Sequence, residues 1–177
     1  ASGSCTDCEV GPYSSSSASH CQNCAGGKYA PNVASTSCMT CLKGTFSVSE
    51  AIICTSCSAG KYSELDMSTY CALCTPGRYS LPEADQCVDC ISGRYAATDA
   101  STGCEACIAG KYSSDTASIC IECAGGKFAS GEANSMCSLC AKGKYSESTA
   151  AVCLSCGAGK FGSELGSSFC SLCSAGY

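Results

Sequence analysis

The apolar residues of this chain do not follow the long patterns that predict regular secondary structure. No stretch places apolar residues at spacings of three and four, as the buried face of an amphipathic helix would. Segments such as GKYSS and GRYAA leave room for only two or three residues of strand between turn-forming residues. The pattern therefore predicts short β-ribbons and turns in a mostly irregular chain.

The spacing of the cysteines is the most regular feature of the sequence. They form eleven C-x-x-C pairs, and successive pairs begin alternately 16 and 17 residues apart. The true period is therefore 33 residues, composed of two unequal half-repeats. The full units span residues 5–37, 38–70, 71–103, 104–136 and 137–169, and a partial unit spans 170–177. Because the sequence starts and stops inside a unit, we expect it to be a fragment of a longer chain.

Each half-repeat has further fixed positions and reads C-x-x-C-x-x-G-x-[YF]. An aromatic residue occupies the last of these positions in all ten complete half-repeats, and a cation precedes it in eight of them. In the 16-residue halves, a serine follows the aromatic residue and an alanine comes four residues later. The recurring glycine predicts a tight turn with positive φ. We expect the aromatic ring to cover a disulfide and the small alanines to let successive loops approach closely.

Composition indicates a cross-linked protein without a large apolar core. Of the 177 residues 22 are cysteine, tryptophan is absent and phenylalanine occurs only four times. A cysteine share above roughly 8–10% is typical of secreted disulfide scaffolds, whose cross-links persist in oxidising compartments. We therefore predict an extracellular protein, secreted or at the cell surface. Because each small module would contact mainly its neighbours, the modules should form an elongated rod.

Charge and motif content argue against several functional classes. The net charge is −5 and no basic stripe is present, so nucleic acid is not an expected partner. No apolar run of about 18 residues predicts a membrane span. Paired C-x-x-C motifs can bind zinc, but eleven pairs would leave one pair without a partner. A thiol oxidoreductase needs one C-x-x-C pair in a special environment, whereas all eleven pairs here share the same sequence environment. The only histidine, His20, lies in a serine-rich loop, so we expect no enzyme and no cofactor.

The half-repeat resembles the cysteine-rich modules of the tumour necrosis factor receptors and the ephrin-receptor-like repeats. These families share C-x-x-G-x-[YF] followed by a distant C-x-x-C. Residues 24–38, CAGGKYAPNVASTSC, are similar to the single-disulfide module of the former family, in which the two terminal cysteines are joined. Carried over to every half-repeat, the resemblance implies the bonds Cys8–Cys21, Cys24–Cys38, Cys41–Cys54, Cys57–Cys71, Cys74–Cys87, Cys90–Cys104, Cys107–Cys120, Cys123–Cys137, Cys140–Cys153 and Cys156–Cys170. It leaves Cys5 and Cys173 for inter-repeat or intermolecular disulfides.

The two-disulfide modules of the same families imply another pairing. In those modules the first cysteine joins the third and the second joins the fourth, for example Cys5 with Cys21 and Cys8 with Cys24. The 33-residue double unit favours this interleaved arrangement. The odd number of pairs disfavours it, because eleven pairs cannot be divided into twos. Both arrangements stay open at the level of sequence.

Two functional classes fit such an array: a structural stalk or filament subunit, and a ligand-binding or adhesive receptor ectodomain. Receptors usually interrupt their repeats where the ligand docks, whereas the steps here stay at 16 and 17 residues throughout, which favours the structural class. Long arrays of this half-repeat are also similar to those in the coats and flagellar hairs of algae and other protists, which implies an extracellular fibre. The expected partners are other copies of the chain or other extracellular proteins.

The loops and the ribbons suggest different surface roles. The serine- and threonine-rich loops are suited to O-linked sugar, while no N-x-[ST] acceptor occurs. The cations share one position of the half-repeat and the acidic residues scatter in the loops, so we predict that aromatic and cationic side chains form the contact surface. The predicted contact residues are Lys28, Tyr29, Lys61, Tyr62, Arg94, Tyr95, Lys127, Phe128, Lys160 and Phe161.

Overall fold

The computed structural model describes residues 8–15 and 20–174, and these ranges contain no helix. Their regular structure consists of two-residue strands that pair into ten antiparallel ribbons. In chain order the strands β1 to β20 are Pro12–Tyr13, Gln22–Asn23, Lys28–Tyr29, Met39–Thr40, Thr45–Phe46, Thr55–Ser56, Lys61–Tyr62, Ala72–Leu73, Arg78–Tyr79, Val88–Asp89, Arg94–Tyr95, Glu105–Ala106, Lys111–Tyr112, Ile121–Glu122, Lys127–Phe128, Ser138–Leu139, Lys144–Tyr145, Leu154–Ser155, Lys160–Phe161 and Ser171–Leu172. The predicted fold class, small disulfide-rich modules with short β-ribbons in an irregular chain, is confirmed.

Each ribbon joins one half-repeat to the next. Its first strand is the residue pair that follows the turn glycine, usually a cation and an aromatic residue. Its second strand is the pair of residues enclosed by the next C-x-x-C motif. In one example, Lys111 lies opposite Glu122 and Tyr112 lies opposite Ile121. Since only two residues separate the cysteines of a motif, the spacing itself limits each strand to two residues.

Ten disulfides join the second cysteine of one pair to the first cysteine of the next, which is the serial arrangement. The sequence separation alternates between 13 and 14 residues, as for Cys107–Cys120 and Cys90–Cys104. The bonds are Cys8–Cys21, Cys24–Cys38, Cys41–Cys54, Cys57–Cys71, Cys74–Cys87, Cys90–Cys104, Cys107–Cys120, Cys123–Cys137, Cys140–Cys153 and Cys156–Cys170. Cys173 is an exposed free thiol, and Cys5 lies outside the described residues.

The buried layer of each half-repeat contains small residues and cystine rather than aromatic rings. It is built from the second cysteine of the pair, the turn glycine and the small residue after the aromatic one, as in Cys107, Gly110 and Ser113. The repeat rings are half-buried or exposed, so they do not belong to this buried layer, and that they cover a disulfide stays a prediction. Neighbouring residues of an extended segment point to opposite sides. With Ser113 directed inward, the adjacent Tyr112 ring is left near the surface.

Backbone hydrogen bonds connect successive half-repeats independently of the ribbons. The turn glycine donates to the small residue of the next half, as Gly110 N does to Ala129 O (2.9 Å). The second cysteine accepts from the loop of the next half, as Cys107 O does from Ala133 N (2.8 Å). Phe128 also forms a parallel bridge with Ala150, one of the alanines expected to allow close approach. Each half-repeat is therefore bonded to the following one through its main chain.

The chain divides into two compact units that contain the same half-repeat contacts. One comprises residues 1–74 and 80–88, and the other comprises residues 75–79 and 89–177. Within the first unit, Cys24 O accepts a hydrogen bond from Glu50 N at 2.9 Å. The equivalent bond of the second unit joins Cys123 O to Thr149 N at 2.8 Å. One local set of contacts thus builds both units.

A buried serine strengthens the junction at every 33-residue step. The hydroxyl of Ser113 donates to the carbonyl oxygen of Arg94 in the preceding half at 2.9 Å. Three further serines make the same bond to the residue 19 positions earlier: Ser47 to Lys28, Ser80 to Lys61 and Ser146 to Lys127. Since these side chains are almost completely buried, each hydroxyl satisfies its hydrogen-bonding capacity within the protein.

We expect Ser113→Ala to lower the free energy of unfolding by about 1 kcal/mol, the usual net value of one hydrogen bond. Ser113→Val should cost more, because added methyl groups overpack a filled site by about 1–3 kcal/mol. Alanine occupies the same position naturally at Ala96 and Ala129, which are also buried. Chemical unfolding with intact disulfides measures both variants. Valine tolerated as well as alanine would contradict tight packing at this position.

Candidate interaction surface

The ten predicted contact residues occupy equivalent places in the structure. They form β3, β7, β11, β15 and β19, each the first strand of a ribbon in a 17-residue half. The rings of the first four strands are half-buried and that of Phe161 is exposed. Each ring therefore offers part of one face to solvent, beside a cation. That these pairs act together as a contact surface stays a prediction.

The cations of the 17-residue halves have no acidic partner across the ribbon. Lys28 lies opposite Thr40, and three other lysines lie opposite a leucine: Lys61 opposite Leu73, Lys127 opposite Leu139 and Lys160 opposite Leu172. None of these four lysines forms an ion pair within residues 8–15 and 20–174. Their charges are consequently available to an anionic partner.

Two cations of the 16-residue halves are instead paired. Arg78 Nε lies 2.7 Å from Asp89 Oδ1, and Lys111 Nζ lies 3.2 Å from Glu122 Oε1. Both carboxylates belong to the next half-repeat and occupy the second strand of the ribbon. Exposed pairs of this kind contribute about 0–1 kcal/mol each. Their main consequence is that these two half-repeats present less positive charge at this position than the 17-residue halves do.

Two tyrosine hydroxyls bond to the side chain opposite them in the ribbon. The Tyr95 hydroxyl donates to Glu105 Oε2 at 2.9 Å, and that of Tyr13 donates to Gln22 Oε1 at 2.9 Å. The hydrogen bond to Glu105, together with the negative charge of that carboxylate, raises the pKa of Tyr95 above its ordinary value. Both effects favour the protonated phenol, since ionisation would remove the donor and place two anions side by side.

Replacing Glu105 with glutamine should lower the pKa of Tyr95 towards its ordinary value, because the charge is removed while a polar side chain remains. A group whose folded pKa is raised contributes stability below its unfolded pKa and loses that contribution as pH rises through the folded pKa. The contribution of Tyr95 is therefore present at neutral pH and lost in alkali. Ultraviolet titration of Tyr95 before and after Glu105→Gln measures the shift. An unchanged titration would contradict the proposed cause.

Acidic loop residues bond to the preceding half-repeat, a role that their scattered positions did not predict. Asp66 Oδ1 accepts from Lys43 N at 3.0 Å, and Asp115 Oδ1 accepts from Ser92 N at 2.6 Å. In the 16-residue halves, Glu83 Oε1 accepts from Ser56 Oγ at 2.7 Å, and Glu50 accepts from the Asn23 amide. These four carboxylates therefore help to connect successive half-repeats.

Open hollows lie between successive ribbons at equivalent positions. One of about 390 Å³ is lined by Phe46, Lys61 and Tyr70, among others. Another of about 200 Å³ is lined by Tyr95, Lys111 and Ile119 at the matching positions of a different pair of halves. Each combines an aromatic ring, a cation and the side chain that precedes a first cysteine. This arrangement can receive an apolar side chain that carries a carboxylate next to it.

Three further observations bear on function. No group of three or more His, Cys, Asp or Glu side chains with metal-binding geometry occurs within residues 8–15 and 20–174. None of the described segments is a helix long and apolar enough to cross a membrane. Comparison with models of known protein families and with curated protein sequences finds no match. The resemblance to receptor-type cysteine-rich modules therefore rests on the repeat motif alone.

Proposed function

We propose that this chain is an extracellular structural protein, without catalytic activity, that forms a stalk or filament from disulfide-stapled modules. The main support is the uninterrupted recurrence of one junction. The backbone bonds from turn glycine to small residue and from loop to cysteine recur at alternating steps, with no insertion between them. Contacts that link each module only to nearby modules extend an array instead of closing it around one core.

The surface gives a second line of support. Among the described residues, twenty-five large apolar side chains are exposed. Isolated exposed apolar residues are ordinary, but larger groupings on a soluble chain mark surfaces that become covered by other molecules. The ten disulfides indicate an oxidising, extracellular setting for this assembly. Repeated weak contacts along an array also gain strength through multivalency.

A ligand-binding or adhesive ectodomain is the second candidate. The observation that favours it is a pair of hollows formed by the loops of two 17-residue halves. One of about 370 Å³ is lined by residues including Tyr62, Leu65 and Tyr70, and one of about 390 Å³ by residues including Pro31 and Val33. The two loops differ in sequence within an otherwise uniform array. A receptor would use such differences to bind its ligand at one place.

Small-angle scattering and sedimentation of the 177-residue chain test the proposal. We expect a radius of gyration well above the ~16 Å of a globule of this length. We also expect concentration-dependent self-association, visible as fibres by electron microscopy. A compact particle would contradict the structural proposal. A chain that is extended, monomeric at high concentration and bound by a soluble protein through one repeat would support the receptor.

A further inference from the structure

Two of the five 17-residue halves share a combination of residues that the other three lack. Residues 54–70 contain Lys61, Glu64, Leu65 and the terminal Tyr70. Residues 153–169 contain the same residue types as Lys160, Glu164, Leu165 and the terminal Phe169, with the Glu-Leu pair one position later in the half. The other three halves have no Glu-Leu pair and end in Ser37, Gly103 and Met136. We call residues 54–70 and 153–169 the paired halves.

The apolar members of this combination project into solvent. Leu65 and Tyr70 are 68% and 70% exposed, and Leu165 and Phe169 are 60% and 70% exposed. The disulfide framework does not require an aromatic residue before the cysteine, since the other 17-residue halves have Ser37, Gly103 and Met136 there. The two sets of exposed leucine and aromatic side chains therefore indicate surfaces that a partner covers.

In the first paired half, the exposed Leu65 side chain lies beside two hollows that have room for a leucine side chain of another molecule. Tyr70 lines both of them: the hollow of about 370 Å³ that also contains Tyr62 and Leu65, and the hollow of about 390 Å³ that also contains Phe46 and Lys61. The same short segment thus supplies both a protruding group and an apolar recess. A surface of this kind can fit a copy of itself.

The charged side chains of the first paired half are also complementary to those of a second copy. Lys61 lies opposite Leu73 in its ribbon, and neither Lys61 nor Glu64 forms an ion pair within the described residues. When two copies meet about a two-fold axis, residue i of each contacts residue j of the other. Lys61 of each copy can then face Glu64 of the other. A net charge of −5 makes an anionic polymer a poor alternative occupant.

We propose that each paired half is a self-complementary patch through which two copies of this chain associate. Leu65 of one copy packs against Tyr70 and Phe46 of the second, with Glu64 facing Lys61. Leu165, Phe169, Glu164 and Lys160 form a second patch of the same composition. Two patches give each chain a valence of two, which allows assemblies longer than dimers. The proposal rests on the proposed structural function and specifies the surface that carries it.

Sedimentation velocity over a range of concentrations tests the patches. The unmodified chain should form a series of oligomers. Leu65→Ser with Tyr70→Ser should leave one patch and stop assembly at dimers. Adding Leu165→Ser and Phe169→Ser should give monomers, with at least a tenfold weaker association constant. The matched control, Leu81→Ser with Ile91→Ser, removes equally exposed side chains outside the paired halves and should assemble like the unmodified chain.

A charge exchange between two chains tests the orientation of the contact. A chain with Lys61→Glu and Lys160→Glu should be monomeric, and so should a chain with Glu64→Lys and Glu164→Lys, since each brings like charges together. Mixing the two chains should restore association, because every contact again joins a lysine to a glutamate. No restoration on mixing would overturn the proposed pairing. Lys43→Glu with Lys142→Glu, which changes the net charge by the same amount at two residues outside the paired halves, should have no effect.

The outcomes separate this proposal from the proposed function. If the unmodified chain polymerises and the variant with all four serine substitutions polymerises equally well, the proposed patches do not mediate assembly and the structural function stands. If the unmodified chain stays monomeric at every concentration, both proposals fail. If it associates only after heparin is added, an anionic polymer and not a second copy occupies the surface, and the patch proposal is overturned.

Discussion

Gly110→Ala is expected to destabilise its half-repeat by more than about 3 kcal/mol, a loss that two separate effects produce. Gly110 has φ +82°, a left-handed conformation that is costly for any residue with a Cβ atom. A Cβ at this position would also lie 2.1 Å from the carbonyl oxygen of Thr149. Because that oxygen belongs to the backbone, relief requires two half-repeats to move apart. Hydrogen exchange of neighbouring amides and chemical unfolding measure the loss.

Two other glycines separate the contributions of conformation and contact. Gly143 has φ +77° but no atom within 4 Å of a Cβ built there, so Gly143→Ala should cost only about 1–2 kcal/mol. Gly103 has neither a positive φ nor a nearby atom, and alanine should be almost neutral there. Equal losses at Gly110 and Gly143 would show that the close approach to Thr149 contributes nothing.

Removing one disulfide should have the second large effect. Replacing Cys90 and Cys104 with serine opens a loop whose ends are 14 residues apart, and such a loop is worth about 3 kcal/mol of chain entropy. Cys90 is 1% exposed, so the substitution also places a hydroxyl in the buried layer. We expect amide protection to fall in residues 87–119 and to remain in a distant half such as 21–37, since the contacts are local.

The exposed free thiol provides the matched control for this experiment. Cys173→Ser changes the same atoms at a residue that forms no disulfide, and it should leave unfolding unchanged. If loss of the Cys90–Cys104 bond reduced protection evenly along the whole chain, a shared core would exist and the local account would be wrong.

The periodicity of the sequence was sufficient to predict the ribbons, because backbone constraints reveal themselves in residue type. A fixed glycine such as Gly110 has the positive φ that its position predicted. The C-x-x-C spacing limits the strands to the two residues it encloses, as in Ile121–Glu122. The alanine at position 150 comes close to the preceding half, where it bridges to Phe128. In each case one residue type was needed at every repeat.

The loop conformation was not predictable from residue type. Among the described residues, eight other than glycine adopt positive φ, among them Glu50, Met67 and Thr116. They are alanine, glutamate, threonine and methionine, none of which favours positive φ, so no sequence signal marks the position. In seven of these residues, the backbone N–H donates to a cysteine carbonyl of the preceding half, as Met67 N does to Cys41 O at 2.9 Å, and this bond stabilises the conformation. A constraint imposed by the neighbouring module leaves no mark on local composition.

The extent to which the aromatic side chains would be buried was not predictable from the sequence either. In a layer this thin, the cystine sulfurs and residues as small as Ser80 already fill the interior. A ring such as Tyr112 is displaced to the surface of the ribbon. The half-buried ring of Phe46 lines the hollow that the proposed assembly uses.

Tryptic digestion of the unreduced protein, with free thiols blocked beforehand, tests the serial arrangement of the disulfides most directly. Trypsin cleaves after lysine and arginine, and such a residue lies inside every disulfide loop from Cys24–Cys38 onwards. In the serial arrangement the peptides stay linked in one species of nearly full mass, which separates only on reduction. This is the result we expect. The interleaved arrangement would instead release separate species of one or two peptides, such as 62–78 bonded only to 79–94, and would contradict the account.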